Sequence, residues 1–131
     1  MALRTRCITA EKFPEDGVRI LVMSRPSSTS RISHPEIPID VFHEWCHVLA
    51  PPPKLAWLYY NCGLSWDEFA RQFKGYLVSP RVQSVLRRLI GRARQGNVTV
   101  VCAEERAGHC HCRLIGEVCQ WLDPSLEVHI E

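Results

Sequence analysis

The stretch NVTVVCAE, residues 97–104, limits what this chain can fold into more than any other. Its β-branched and apolar residues do not alternate with polar ones, so a strand made from it has two apolar faces and needs cover on both. Such a strand sits at the centre of a sheet packed by helices. The sequence on either side fits that picture. Upstream, Ser79 and Pro80 mark a helix start, and Val82, Val85, Leu86, Leu89, Ile90 and Ala93 recur at helical spacing as far as QGN at 95–97. Downstream, ERAGHCHC (105–112) leads into RLIGEVCQWL (113–122), a second amphipathic helix that Asp123-Pro124 ends, and LEVHI (126–130) reads as a closing strand.

The first half adds shorter elements. Two apolar runs, residues 5–9 and 18–23, flank the turn-forming PEDG and predict two strands joined by a short loop. Residues 24–38, rich in Ser and Pro, have neither helical nor strand period and predict a long surface loop. Asp40 can cap a helix running through Leu49, which the prolines at 51–53 stop. A short helix over 54–61 is followed by Gly63. Ser65 and Glu68 form the capping box S-x-x-E of a helix over 66–77, whose apolar face is Trp66, Phe69, Phe73, Tyr76 and Leu77. The expected architecture is α/β: a single three-layer domain over residues 1–131, with a small mixed sheet of about four strands covered by helices.

Composition narrows the function classes. No window approaches 18 consecutive apolar residues, so no membrane span is expected. The N-terminal segment has early arginines but no apolar core of a leader, and seven cysteines are an odd number; together they predict reduced thiols and a cytoplasmic location. A formal charge of +2 is too small to imply nucleic acid by itself.

Residues 43–47, HEWCH, spell H-E-x-x-H, which on a helix would put two imidazoles one turn apart around a zinc ion. The third ligand is missing. Val-Leu-Ala-Pro-Pro-Pro follows His47, so no extended motif exists, and the side chain of Glu68 is already accounted for by its capping box. Trp45 reads as a core residue. No metal is expected at His43 and His47, and no cofactor is implied elsewhere.

Several segments in succession resemble the YeaO-like family, catalogued as domain of unknown function 488. They are DGVRILV (16–22), W-x-x-x-L-A-P from Trp45 to Pro51, W-x-x-F from Trp66 to Phe69, and G-x-V-T-V-V from Gly96 to Val101. The resemblance covers nearly the whole chain and implies an α/β fold in a small cytoplasmic protein, without specifying a reaction. Two departures stand out. Where members of the family resemble R-x-W-P-R-G, this chain has Arg25-Pro26-Ser27-Ser28; where many show Cys-His-Arg, it has Cys110-His111-Cys112, with Arg113 displaced by one.

The segment from Cys102 to Arg113 gathers the most chemistry. It joins the central strand to a helix N-terminus, where open α/β sheets bind ligands and free N–H groups favour an anion. Cys110 is the expected nucleophile, with His111 and Glu104 in catalytic roles; Arg25, Cys102, His109, Cys112 and Arg113 are expected to bind the ligand, a small anion such as a phosphate or carboxylate compound. The phosphatase spacing C-x5-R is absent, since Gly108, Gly116 and Val118 stand six residues after Cys102, Cys110 and Cys112. Alternating His and Cys also suit a soft metal, which gives a second alternative, a metal-binding protein using the HCHC loop. The first alternative is a nucleic-acid-binding or interaction module. Arg81, Arg87, Arg88, Arg92 and Arg94 lie within one helix with no acid between residues 80 and 97, and the expectation is weak, salt-sensitive affinity at most. The more common use of such a face is solvation beside acidic neighbours.

Overall fold

A computed structural model describes residues 2–7, 17–22, 44–102 and 111–130. Five strands form one sheet: β1 (Leu3–Cys7), β2 (Val18–Leu21), β3 (Glu44–Trp45), β4 (Val98–Cys102) and β5 (Val128–Ile130), in the order β3-β2-β4-β1-β5. All five residues of β4 are buried, and it lies between β1 and β2, the central place its two-sided apolar sequence requires. The α/β class and small sheet agree with the sequence reading; the sheet differs in detail, being parallel at every described pairing and five-stranded. The short loop expected to join residues 5–9 to 18–23 does not pair them. β1 and β2 each run parallel to β4, on opposite sides of it. Local turn signals could not show this, because the partner strand lies 80 residues beyond β2 (Val18 to Val98) and 95 beyond β1 (Leu3 to Val98).

Four helices follow from the periodicities: α1 (Pro53–Asn61), α2 (Trp66–Leu77), α3 (Pro80–Gln95) and α4 (His111–Leu122). Rows of strand partners such as Leu3, Val98 and Val18, or Thr5, Val100 and Ile20, put those side chains on one sheet face. There Leu3, Ile20, Val98, Val100 and Cys102 join Phe69 and Phe73 of α2, Leu86 and Leu89 of α3, and Leu114, Ile115 and Val118 of α4 in a single core. Helix α4 presses hardest on the sheet. A Cβ on Gly116 would lie 3.0 Å from the Thr5 methyl and 3.3 Å from Ile130, so the missing side chain is what lets the backbone approach. The opposite face carries Arg4, Arg6, Arg19 and Thr99; Arg19 is 2% and Arg6 9% exposed, and each has interaction partners. The third layer expected over that face is a question outside the described residues.

Residues 44–49 overturn the helix expected over 40–49. Glu44 and Trp45 pair with Ile20 and Leu21, the Cys46 amide donates to the Leu21 carbonyl at 2.8 Å, and His47–Leu49 make only one 3-10 turn. The open edge of β2 supplies ladder partners that a helix of marginal length, stopped by three prolines, cannot match. The capping box of α2 is half formed. Ser65 Oγ accepts from the Glu68 amide at 3.2 Å, but the Glu68 carboxylate turns forward to Arg71 and Gln72 instead of back to the cap. Replacing Ser65 with Ala is therefore expected to cost about 1 kcal/mol, read as a lower urea midpoint at unchanged m-value.

Candidate functional site

The carboxyl edge of the sheet is built by the end of β4 and the start of α4. Cys102 is the last residue of β4 and fully buried, because its side chain falls on the helix-packed face. Helix α4 starts at His111, two residues before the expected Arg113, so His111 and Cys112 both belong to its first turn. Cys112 is 1% exposed and His111 half-buried. The sulfurs of Cys102 and Cys112 and a ring nitrogen of His111 lie within 4.8 Å of one another.

Two contacts fix the imidazole. Its Nε2 lies 2.8 Å from the Val22 carbonyl oxygen, and since a carbonyl only accepts, Nε2 carries the proton and Nδ1 the lone pair of the neutral ring. The Phe73 ring of α2 meets it edge-on, with centroids 5.9 Å apart. The Cys112 thiol points at the Arg6 carbonyl of β1, 4.0 Å away, which ties the first turn of α4 to the sheet.

The cysteines divide into different states. Cys46, Cys62, Cys112 and Cys119 are thiols, whereas Cys102 is disulfide-bonded. This corrects the expectation of seven reduced thiols. Cysteine number says nothing about which sulfurs the fold brings together, and bridging is decided by that geometry. Cys119, inside α4, is pushed up to about 12 by burial and is inert near neutral pH.

Arg113, expected to bind the ligand, has an acidic neighbour on its own helix. It is exposed on α4, and its Nε donates to the Glu117 carboxylate one turn on at 3.1 Å; Lys74 of α2 donates to the same carboxylate at 2.8 Å. Burial pushes the Glu117 carboxyl up, but these two hydrogen bonds outweigh it and hold it below the usual range. The structure thus brings together Cys102, His111 and Cys112 of the predicted site and turns Arg113 towards Glu117. Arg25, Glu104, His109 and Cys110 lie outside the described residues. Sequence reasoning missed the Val22 carbonyl and the Phe73 ring that orient His111. Neither leaves a motif, because both reach the histidine through tertiary packing.

The other two motifs resolve differently. His43 lies outside the described residues, but Glu44 is in a strand and His47 opens a 3-10 turn, so the helical spacing that H-E-x-x-H needs does not exist. Glu44 instead accepts from Arg92 at 2.8 and 2.5 Å. On the basic helix α3, Arg94 is held by Asp123 and Ser125, so that Arg92 and Arg94 are answered by acids, while Arg87 reaches the Gln83 side-chain amide at 3.3 Å. Of the aromatic rings, Tyr59, Trp66, Phe69 and Phe73 pack against one another between α1 and α2, whereas Trp57, Tyr60 and Trp121 are exposed and none of the three lies on α3.

Fold and site together define a parallel-sheet α/β domain with a cysteine–histidine cluster at the carboxyl edge of its central strand. The chain belongs to the DUF488 family: residues 3–121 match the family model described as DUF488-N3a, "Active DUF488-N3 subclade". Searches of curated proteins and of solved structures returned no match. Among the described residues no helix is long and apolar enough to cross a membrane.

Proposed function

We propose that this protein works through cysteine chemistry at the carboxyl edge of its sheet, on a small anionic ligand received beside the N-terminus of α4. The observation that carries the reading is the convergence of Cys102, His111 and Cys112 at the end of a buried parallel strand. Ligands of open α/β sheets bind at that edge, and the first turn of a helix offers N–H groups to an anion. His111 is a proton acceptor in this scheme. The Val22 carbonyl holds its Nε2–H, which leaves Nδ1 as the basic atom and makes a separate orienting carboxylate unnecessary for the ring. Cys110 is the first choice of nucleophile on the family pattern, with Glu104 as a further base and Arg25 and His109 as ligand contacts.

The test is iodoacetamide labelling of the reduced native protein as a function of pH, with each labelled residue mapped, in the presence and absence of inorganic phosphate. We expect one cysteine of the Cys102–Cys112 segment to label with a midpoint below the ordinary thiol value of about 8.5, and phosphate to slow that labelling. Cys119 serves as the unreactive internal reference and Cys62 as the exposed one. Ordinary midpoints throughout the segment, with no protection by phosphate, would remove the reading.

A further inference from the structure

The cluster has a donor set that thiol reactivity does not require. Two sulfurs and an imidazole, all within 4.8 Å of one another, are the borderline-soft ligands that zinc selects. The histidine is prepared for that role. Ligating imidazoles ordinarily donate their second ring N–H to a carbonyl or carboxylate, which fixes tautomer and orientation, and the 2.8 Å contact of His111 Nε2 with the Val22 carbonyl is such an arrangement. Tetrahedral zinc with bonds of about 2.0–2.3 Å sets its donors roughly 3.4–3.8 Å apart. Closing from separations of at most 4.8 Å takes shifts of no more than about 0.7 Å per atom, which side-chain torsions supply.

One feature stands in the way, and it makes the site conditional. Cys102 is disulfide-bonded, so its sulfur has no thiolate to offer. We propose that reduction of this disulfide turns Cys102, His111 and Cys112 into a three-donor zinc site, and that oxidation of Cys102 closes it. The chemistry balances with a dithiol reductant. The reductant gives two electrons and two protons and becomes a disulfide, the Cys102 S–S bond breaks, and each of its two sulfurs leaves as a thiol. Metal entry then displaces the thiol protons of Cys102 and Cys112 while the neutral imidazole donates through Nδ1. Among the described residues three side chains offer donors, and a tetrahedral ion has one further position to fill. The inference uses the side chains of the proposed site but needs neither the anion nor an activated thiol.

The experiment is a metal titration of the full chain in two redox states, after reduction with a phosphine and without it. Zinc is followed by competition with a chromophoric chelator, cobalt(II) by its thiolate charge-transfer absorption. The reduced protein should take one equivalent with a thiolate band, and the disulfide form none. Cys102→Ser and Cys112→Ser should each weaken binding by more than the ~10–100-fold that loss of an outer-shell partner costs. Cys62→Ser should leave it unchanged. A measurement on the unaltered chain avoids dependence on variants that fold poorly: bound zinc should protect Cys112 from alkylation, mapped by peptide mass. Absence of metal in the reduced protein, equal binding in both redox states, a cobalt spectrum without the thiolate band, or unprotected Cys112 each overturns the inference. Loss of phosphate protection alone would sink the anion reading and leave this one standing.

Discussion

Gly17→Ala is expected to destabilise the protein by about 2–3 kcal/mol, the sum of a left-handed backbone penalty near 1–2 kcal/mol and a displaced hydrogen bond near 1 kcal/mol. Gly17 enters β2 with φ +63°, a conformation that side chains disfavour. The steric problem is worse than the torsional one. A Cβ there would lie 2.0 Å from the Asn97 carbonyl oxygen, which accepts the Val18 amide at 3.2 Å where β2 begins beside β4. Asn97 cannot yield freely, because its side-chain oxygen also accepts the Ala2 amide at 3.0 Å. One methyl group thus pushes on the start of three strands at once. Urea denaturation measures the effect, and a loss within the ±0.5 kcal/mol typical of inert surface changes would show that the junction has slack the geometry does not reveal.

Phe73→Ala should cost about 3–5 kcal/mol, the range for emptying an aromatic site in a packed core. The ring is fully buried and touches Phe69 and Tyr76 on its own helix and His111 on α4, at centroid distances of 5.9, 6.1 and 5.9 Å. Its loss therefore has a second consequence, at the site. With the edge contact gone, the imidazole is held less firmly beside the Val22 carbonyl, and zinc affinity of the reduced protein should fall with stability. Trp121→Ala provides the contrast. That ring is 70% exposed, and its removal should change stability by no more than about 0.5 kcal/mol. Equal losses for the two variants would mean that the core is not centred where α2 meets α4.

What the sequence determined by itself is what neighbouring residues decide. The Ser65 cap, the apolar stripes of α2 and α3, Pro80 in the first turn of α3, and the two-faced apolar run of β4 are short-range patterns, and each element formed where its pattern lies. The family blocks are of the same kind, which is why the membership was legible before any geometry. The tertiary structure alone decided the rest. It turned HEWCH from a helical ligand motif into a strand end and a 3-10 turn, since an open β2 edge lay within reach. It placed Arg6 and Arg19, which sit within runs that read as plainly apolar strands, on the sheet face away from the core helices, where each is buried and partnered. Above all it brought Cys102 to His111 and Cys112 and bonded the Cys102 sulfur elsewhere. Spacing along a chain constrains which residues share a helix face or a strand face. It does not constrain which strand lies beside which, and the cluster is created by that choice, through parallel pairing of segments 80 and 95 residues apart (Val18 and Leu3 with Val98) and the seating of α4 against them.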